Sequence, residues 1–425
     1  MRIAIAYSQR TKIGGIETYL DQIIPELHRL GHSLAFFHEI NGASEREKIA
    51  LPNGAPAWCV ADLGAKQALS MLSDWRPDLI YAHGLAEPEL ESQLLKVAPA
   101  VFFAHGYYGT CISGAKSFKR PDIKPCDRRF GAQCLLHYYP NRCGGLSPVT
   151  MLTEYRRQAK RLELLSTYRA IVTLSTHMRD EYINQGFSPE RVHCLSFLSH
   201  QAGDKFSANG NGFHAVACTS ENVVALDYED STCWKLVFLG RMGRLKGGEL
   251  LIDALPKVCK ALTRPVRVTF AGDGPERSAW EQRAGLAQTR SQKLEMEFVG
   301  WVNKQRRDTL LSESHLLVVP SVWPEPFGLV GMEAGLHGVP TAAFAVGGIP
   351  EWLSDGVNGY LGPADPPTSK GLAEAIIKCL SDSETHARLR RGAMAIARKF
   401  EMKNHLTPLL QVFESAVRNG NRITV

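Results

Sequence analysis

The sequence predicts an α/β protein made of two units, each a parallel sheet wrapped by helices. Three observations carry this. The pattern of strand, glycine turn and amphipathic helix occurs twice, at residues 2–30 and again at 234–258. The apolar runs in 78–83, 100–105 and 316–319 are continuous instead of alternating, as expected for strands buried on both faces. Finally, 425 residues are enough for two or three domains, each with its own core.

Composition narrows the class further. Hydrophobic residues make up 44% and charged residues 22%, as in soluble globular proteins. No run of 18 apolar residues occurs, so a transmembrane helix is not expected. Residues 1–7 read as a first strand and not as a secretory signal, which places the protein in the cytoplasm with its ten cysteines reduced. The net charge of +6 is unevenly spread. Between Lys116 and Arg169 there are 12 Lys and Arg against 4 Asp and Glu, which leaves −2 for the rest of the chain. Such a stretch attracts an acidic partner: an anionic membrane surface, a lipid-phosphate acceptor or nucleic acid. The alternative is a solvated basic face with no partner.

Taken in order, the strand at 2–7 runs into Gly14 and Gly15. Apolar residues Tyr19, Leu20, Ile23, Ile24, Leu27 and Leu30 then mark one face of a helix. Ligands of open α/β sheets bind at the carboxyl ends of strands, where these glycines fall. The next strand is at 34–37. Two further strands each end in His-Gly, at His83 and His105. A histidine at such a strand end can donate to a phosphate or sugar oxygen; this function is assigned to His105, while His83 reads as a core residue. Residues 107–150 break the pattern and read as a basic insertion carrying Cys111, Cys126, Cys134 and Cys143. A helix near 149–166, a strand at 170–174, a helix at 176–186 and a strand at 192–197 complete a first domain, 1–200. Residues 201–231 read as a linker.

The second domain, 232–400, opens with a strand at 234–239. A glycine turn carrying Arg241 and Lys246 follows, two fixed cations able to hold a diphosphate. The next strand, at 266–271, ends in Gly272-Asp273-Gly274-Pro275. After the strand at 316–319 comes Pro324-Glu325-Pro326-Phe327-Gly328-Leu329, with a helix expected to begin near Phe327 or Gly328 and to contain Glu333. A helix N-terminus there offers phosphate its unpaired N–H groups. With a carboxylate on either side, the site suits a ligand bearing phosphates and hydroxyls, as a sugar nucleotide does. The plainer reading is that both glutamates only favour a helix start and face water. A final helix, within 401–425, is expected to fold back on the first domain.

This ordered set resembles the retaining glycosyltransferases of family 4, which have the GT-B fold of two Rossmann-like domains facing a central cleft. It comprises the glycine pair with Glu17, His105-Gly106, Gly240-Arg241 with Lys246-Gly247, Gly272 to Pro275, Glu325 and Glu333 eight apart, and Gly347-Gly348 before Glu351. The resemblance covers nearly all of the chain except 107–150 and 199–231. It implies a hexose-type transfer from a nucleotide-sugar donor to a hydroxyl of a glycan or lipid-linked acceptor, with no nucleic acid involved. Arg241 and Lys246 would bind the diphosphate, Glu333 the ribose and Glu325 the donor sugar. The backbone of Phe327, Gly328 and Leu329 would meet the phosphates, and Gly14 and Gly15 would close over them. His105 would reach the sugar, and the surroundings of Gly272, Gly274 and Gly300 would line the base. Leu198-Ser199-His200 departs from the Asn-Gly type of turn common at the hinge of such enzymes.

The chemistry agrees. Breaking a sugar–diphosphate bond leaves negative charge that a metal or fixed cations must stabilise. The chain has no Asp-x-Asp pair to hold a divalent ion, so no catalytic cofactor is expected and Arg241 and Lys246 take that role. The rival readings are a sugar-nucleotide epimerase or hydrolase on the same fold, and a non-catalytic protein that grips nucleic acid through its basic insertion. The four clustered cysteines are expected to staple that insertion through a structural zinc or an iron–sulfur cluster. Two disulfides, or four unrelated thiols, are the alternatives.

Overall fold

The computed structural model of the chain describes residues 1–42, 47–121, 123–195, 232–400 and 402–420. The turn at 198–200 and the expected linker at 201–231 lie outside the described residues. Two parallel sheets form the frame. The first has seven strands in the order Ala57–Cys59, Ser33–Ile40, Arg2–Gln9, Leu79–Ala82, Ala100–Phe103, Ala170–Thr173 and Val192–Cys194. The second has six: Leu294–Gly300, Val266–Ala271, Trp234–Leu239, Leu316–Val319, Thr341–Phe344 and Gly359–Gly362. Their continuous apolar sequences follow from burial on both faces. All four residues are buried in each of Leu79–Ala82, Ala100–Phe103, Leu316–Val319 and Thr341–Phe344.

The first glycine turn leads into helix Gly15–Arg29, which buries Tyr19, Leu20, Ile23, Ile24 and Leu27 against the first sheet. The second leads into helix Gly248–Ala261, with Leu251, Ile252, Leu255 and Val258 buried. In both sheets the order reverses beside the first strand, so each glycine turn falls at a switch point, where α/β sheets leave a crevice.

The helix expected to begin near Phe327 or Gly328 instead spans Val330–Leu336, two to three residues later. Gly328 takes a left-handed φ of 88°, which a continuing helix cannot hold. The Trp352 indole N–H donates to the Phe327 carbonyl at 2.6 Å and fixes the loop ahead of the helix. The insertion also has more order than its sequence implied. It contains the hairpin Ser117–Phe118 with Lys124–Pro125 and the helix Gln133–Tyr138, then runs into helix Pro148–Leu165.

The last helix, Met402–Gly420, lies on the first sheet. Phe413 is fully buried, its ring 4.8 Å from that of Tyr81. His405 Nε2 bonds the Tyr19 hydroxyl at 2.7 Å, and its Nδ1 bonds the Leu195 carbonyl at 2.8 Å. Phe413→Ala is expected to cost about 3–5 kcal/mol, the range for emptying a buried phenylalanine site. The check is a lowered urea midpoint for the first domain; an unchanged midpoint would show that this helix adds nothing to its stability.

Candidate functional site

The loops at the carboxyl ends of both sheets meet across the chain's two units. On the second domain, Glu325 is 5% exposed and its Oε1 gathers three donors. These are Ser321 Oγ at 2.6 Å, Trp323 Nε1 at 2.9 Å and Lys246 Nζ at 2.5 Å. Lys246 also stands 5.5 Å from the centre of the Trp323 ring. The two glycine-flanked loops expected to share a ligand therefore share an ion pair. Arg241, five residues before Lys246, is exposed.

The glycines explain how these loops come so close. A Cβ on Gly347 would stand 2.2 Å from the Glu325 carbonyl oxygen, and φ there is 57°. A Cβ on Gly247 would fall 1.9 Å from the Pro320 carbonyl oxygen. Gly272 and Gly274 are also contact glycines: a Cβ on either would strike the carbonyl of Gly240 or of Met242. Gly272 N–H donates to Gly300 at 2.7 Å, and Met242 N–H to Asp273 at 2.8 Å. Their residue type is thus dictated by packing of the 240–243 loop on the 272–275 loop.

Glu333 is half-buried and pairs with Arg307 Nη1 at 3.1 Å. Burial pushes its carboxyl up, opposed by the Arg307 charge. Neither glutamate is a solvated side chain that merely favours a helix start. Phe327 is buried, with its ring centre 5.7 Å from that of Phe400, while Gly328 and Leu329 are partly exposed.

The first domain faces this cluster with its glycine turn. Gly14 and Gly15 are exposed, and a Cβ on Gly15 would come within 4.0 Å of Leu329 Cδ1. Glu17 holds the turn: buried, it accepts from Tyr7 Oη at 2.8 Å, Gln9 Nε2 at 3.2 Å and Gly14 N at 2.8 Å. His105 is partly buried at the end of its strand, its Nε2 2.8 Å from His83 Nδ1. Burial, with the His405 ring adding to it, pushes His105 down to about 3, so the imidazole is neutral near pH 7. His83, which the sequence marked as a core residue, is buried but orients His105 directly.

Several contacts between the domains had no sequence signal. The Glu351 carboxylate accepts from Thr176 N at 2.9 Å, Thr176 Oγ1 at 2.8 Å and His177 N at 2.9 Å, so it caps helix Thr176–Asn184 of the other domain. Ser175 Oγ donates to the Pro326 carbonyl. The Tyr107 hydroxyl donates to the Pro324 carbonyl at 2.7 Å and meets His177 Nε2 at 2.6 Å. Glu351 could be noticed beside its glycine pair, but its partner lies 175 residues away.

The four cysteines of the insertion come together around one cavity. Among the described residues no group of three or more His, Cys, Asp or Glu stands in ligating geometry. Burial raises Cys126, Cys134 and Cys143, the last to about 11, with the neighbouring thiols adding to the effect. The basic stretch is only partly a surface. Lys116 is buried in an ion pair with Glu181 at 2.6 Å, and Arg161 donates to the carbonyls of Leu85 and Ala86. Arg120, Lys124, Arg129 and Arg156 are exposed, among the exposed apolar side chains of Leu136, Leu146, Val149 and Leu152. No helix among the described residues is long and apolar enough to cross a membrane.

Two parallel-sheet domains meeting at a shared crevice define a GT-B protein. Comparison with known proteins agrees. The family model for group 1 glycosyl transferases matches residues 228–395, and that for glycosyltransferase family 4 matches residues 13–142. Together they span more than half of the chain, which belongs to glycosyltransferase family 4. An uncharacterized glycosyltransferase of Methanocaldococcus jannaschii is 28% identical over 57% of this chain and 57% of its own length. A phosphatidyl-myo-inositol mannosyltransferase of Mycobacterium leprae is 26% identical over 45% of this chain and 49% of its own. The match thus spans about half the length of these curated relatives. Among solved structures, Anabaena HepE in complex with UDP and glucose superposes with a TM-score of 0.62 at 19% identity, over 98% of this chain and 100% of its own. At that identity the likeness concerns the fold.

The buried histidines make stability depend on pH. Burial pushes His405 down to about 4, against the opposing bond to Leu195. The folded chain therefore stays neutral where the unfolded chain, with a value near 6.5, takes up a proton. Stability is full above about pH 6.5 and is lost as pH falls toward 4. Each such histidine contributes a slope of up to about 1.4 kcal/mol per pH unit. Denaturation of wild type and His405→Gln between pH 7 and 5 checks this. The wild-type slope should be steeper, and equal slopes would mean that His405 titrates normally in the fold.

Proposed function

We propose that the protein transfers a hexose-type sugar from a nucleotide-diphosphate donor to a hydroxyl of a glycan or lipid-linked acceptor, with retention at the anomeric carbon. The observation that carries this reading is the ion pair of Lys246 with buried Glu325, facing the Gly14-Gly15 turn across the crevice. A cation held by its own loop and by a carboxylate stands where a diphosphate leaving group would lie, and needs no reorganisation as charge develops. Three donors occupy Glu325 Oε1, leaving Oε2 for sugar hydroxyls. Arg241, exposed nearby, adds a second cation. The neutral His105 can donate or accept at the sugar, oriented by His83. Glu333 takes the ribose in this reading. HepE, similar in fold, was solved with UDP and glucose, which supports a nucleotide-sugar donor. Retention rests on the resemblance; NMR of the first-formed product decides it, and an inverted anomeric linkage would reject it. An epimerase or hydrolase is excluded by the same assay if donor turnover requires acceptor.

The exposed cations and apolar side chains between Arg120 and Arg156 support docking on an anionic membrane, where a lipid-linked acceptor would sit. Binding to anionic vesicles should weaken as salt rises, and equal binding to neutral vesicles would reject an electrostatic contribution.

Arg241→Ala and Lys246→Ala are each expected to lower turnover by roughly 10²–10³, the scale for losing one transition-state donor. Lys246→Ala also strips buried Glu325 of its cation, so its stability is measured alongside. Arg241→Ala has no such complication. Glu333→Ala should raise the donor Kd more than it lowers turnover. Wild-type turnover in folded Lys246→Ala, or unchanged nucleotide affinity in Glu333→Ala, would remove those assignments.

A further inference from the structure

Cys111, Cys126, Cys134 and Cys143 have no part in sugar transfer, yet the fold gathers them around one cavity of about 30 Å³. Their spacings of 15, 8 and 9 fit no common ligand motif. Three local devices bring them together. Gly114 and Lys116 take left-handed φ values of 68° and 48°, and the loop turns back so that the Lys116 N–H donates to Cys111 Sγ at 3.3 Å. The hairpin follows, with the Cys126 N–H on the Lys116 carbonyl at 2.8 Å. Helix Gln133–Tyr138 carries Cys134, and the Cys143 N–H is tied back to its end, on the Tyr138 carbonyl at 3.0 Å. Ile112 and Phe118 close the wall.

A second observation points to what the cavity holds. Arg128 lines it, and Arg128 Nη1 is buried without a hydrogen-bond partner among the described residues. Its guanidinium lies over the Phe118 ring at 5.4 Å. A buried guanidinium nitrogen without an acceptor is costly, and the thiols around it are weak acceptors. The nearby Lys116 is already committed, through Nζ, to Glu181 and to the Arg128 carbonyl. A centre carrying negative charge at the sulfurs would match Arg128.

We propose that these four cysteines bind one Zn²⁺ as a tetrahedral structural centre that orders the insertion beside the crevice. Four cysteine sulfurs are the ligand set of a closed structural zinc site, and stoichiometric iron with sulfide is the competing outcome of the test. Zn–S bonds of about 2.3 Å put tetrahedral sulfurs about 3.8 Å apart. The four sulfurs must draw inward from the cavity wall to reach that geometry. Four S–H protons pass to solvent as four Zn–S bonds form, and no electron is transferred. The product carries a net charge of −2, beside Arg128.

The experiment uses the full chain, purified under reductant without chelator or affinity-tag metal. Elemental analysis should return about one zinc per chain. After metal removal, Co²⁺ titration should give the thiolate charge-transfer and d–d bands of a tetrahedral sulfur site, saturating at one per chain. Cys126→Ser and Cys143→Ser should each abolish those bands, while Arg128→Gln should weaken binding about tenfold at unchanged stoichiometry, the scale for removing an outer partner of a metal site. If the serine variants do not fold, the wild-type cobalt titration decides alone. Reduced chain that takes up neither zinc nor cobalt would overturn the proposal. So would two disulfides found by mass after alkylation, or stoichiometric iron with sulfide.

Discussion

The Glu325 carboxylate is buried with one cation and two neutral donors, all on the same oxygen. A charge in that position is stable only if every one of those partners stays in place, because a buried carboxylate stripped of its cation is strongly destabilising. Ser321 and Trp323 come from its own loop, but Lys246 comes from the other side of the sheet's switch point. The loop carrying Lys246 must therefore lie hard against residues 320–325. Only glycine at 247 and 347 permits that approach. Glycine at 247 and 347 and the position of the lysine thus serve one electrostatic requirement.

The two domains are joined by the same economy. Glu351 sits one turn beyond the glycine pair that supports Glu325, and its carboxylate supplies the missing acceptor for the first turn of helix Thr176–Asn184. A helix N-terminus left uncapped exposes unpaired N–H groups and a positive dipole end. In this structure Ser175 accepts the Met178 N–H from within its own domain, and Glu351 of the opposite domain takes those of Thr176 and His177, so the bonds that complete a secondary-structure element also fix the crevice. Tyr107 and Ser175 add hydroxyl bonds to the carbonyls of Pro324 and Pro326 across the domains.

Much of this was legible in the sequence, and the limits have physical causes. Continuous apolar runs identified the strands because both faces of a parallel sheet are covered. Glycines followed by amphipathic spacing marked the turns at the switch points. Glu325 and Lys246 were legible as site residues but not as partners, since 79 residues separate them. The start of the helix after Phe327 was misplaced because the pattern does not show that Gly328 is left-handed. His83 read as core because its burial was legible and its bond to His105 was not. Glu351, Tyr107 and Ser175 act across the domains, where local periodicity carries no information. Residues 107–150 were opaque because their order comes from one buried lysine, a short hairpin and a six-residue helix, not from an amphipathic repeat.

The helix Met402–Gly420 closes over a sheet whose strands lie in the first half of the chain. During synthesis the ribosome delivers Tyr19, Tyr81 and Phe103 early, and their covering partners His405 and Phe413 more than 300 residues later. The second domain lies in a continuous stretch between them and can complete its own core first. The first domain waits with an apolar face uncovered, the kind of surface that recruits chaperones or drives aggregation. The order of maturation is thus the reverse of the order of the domains along the chain.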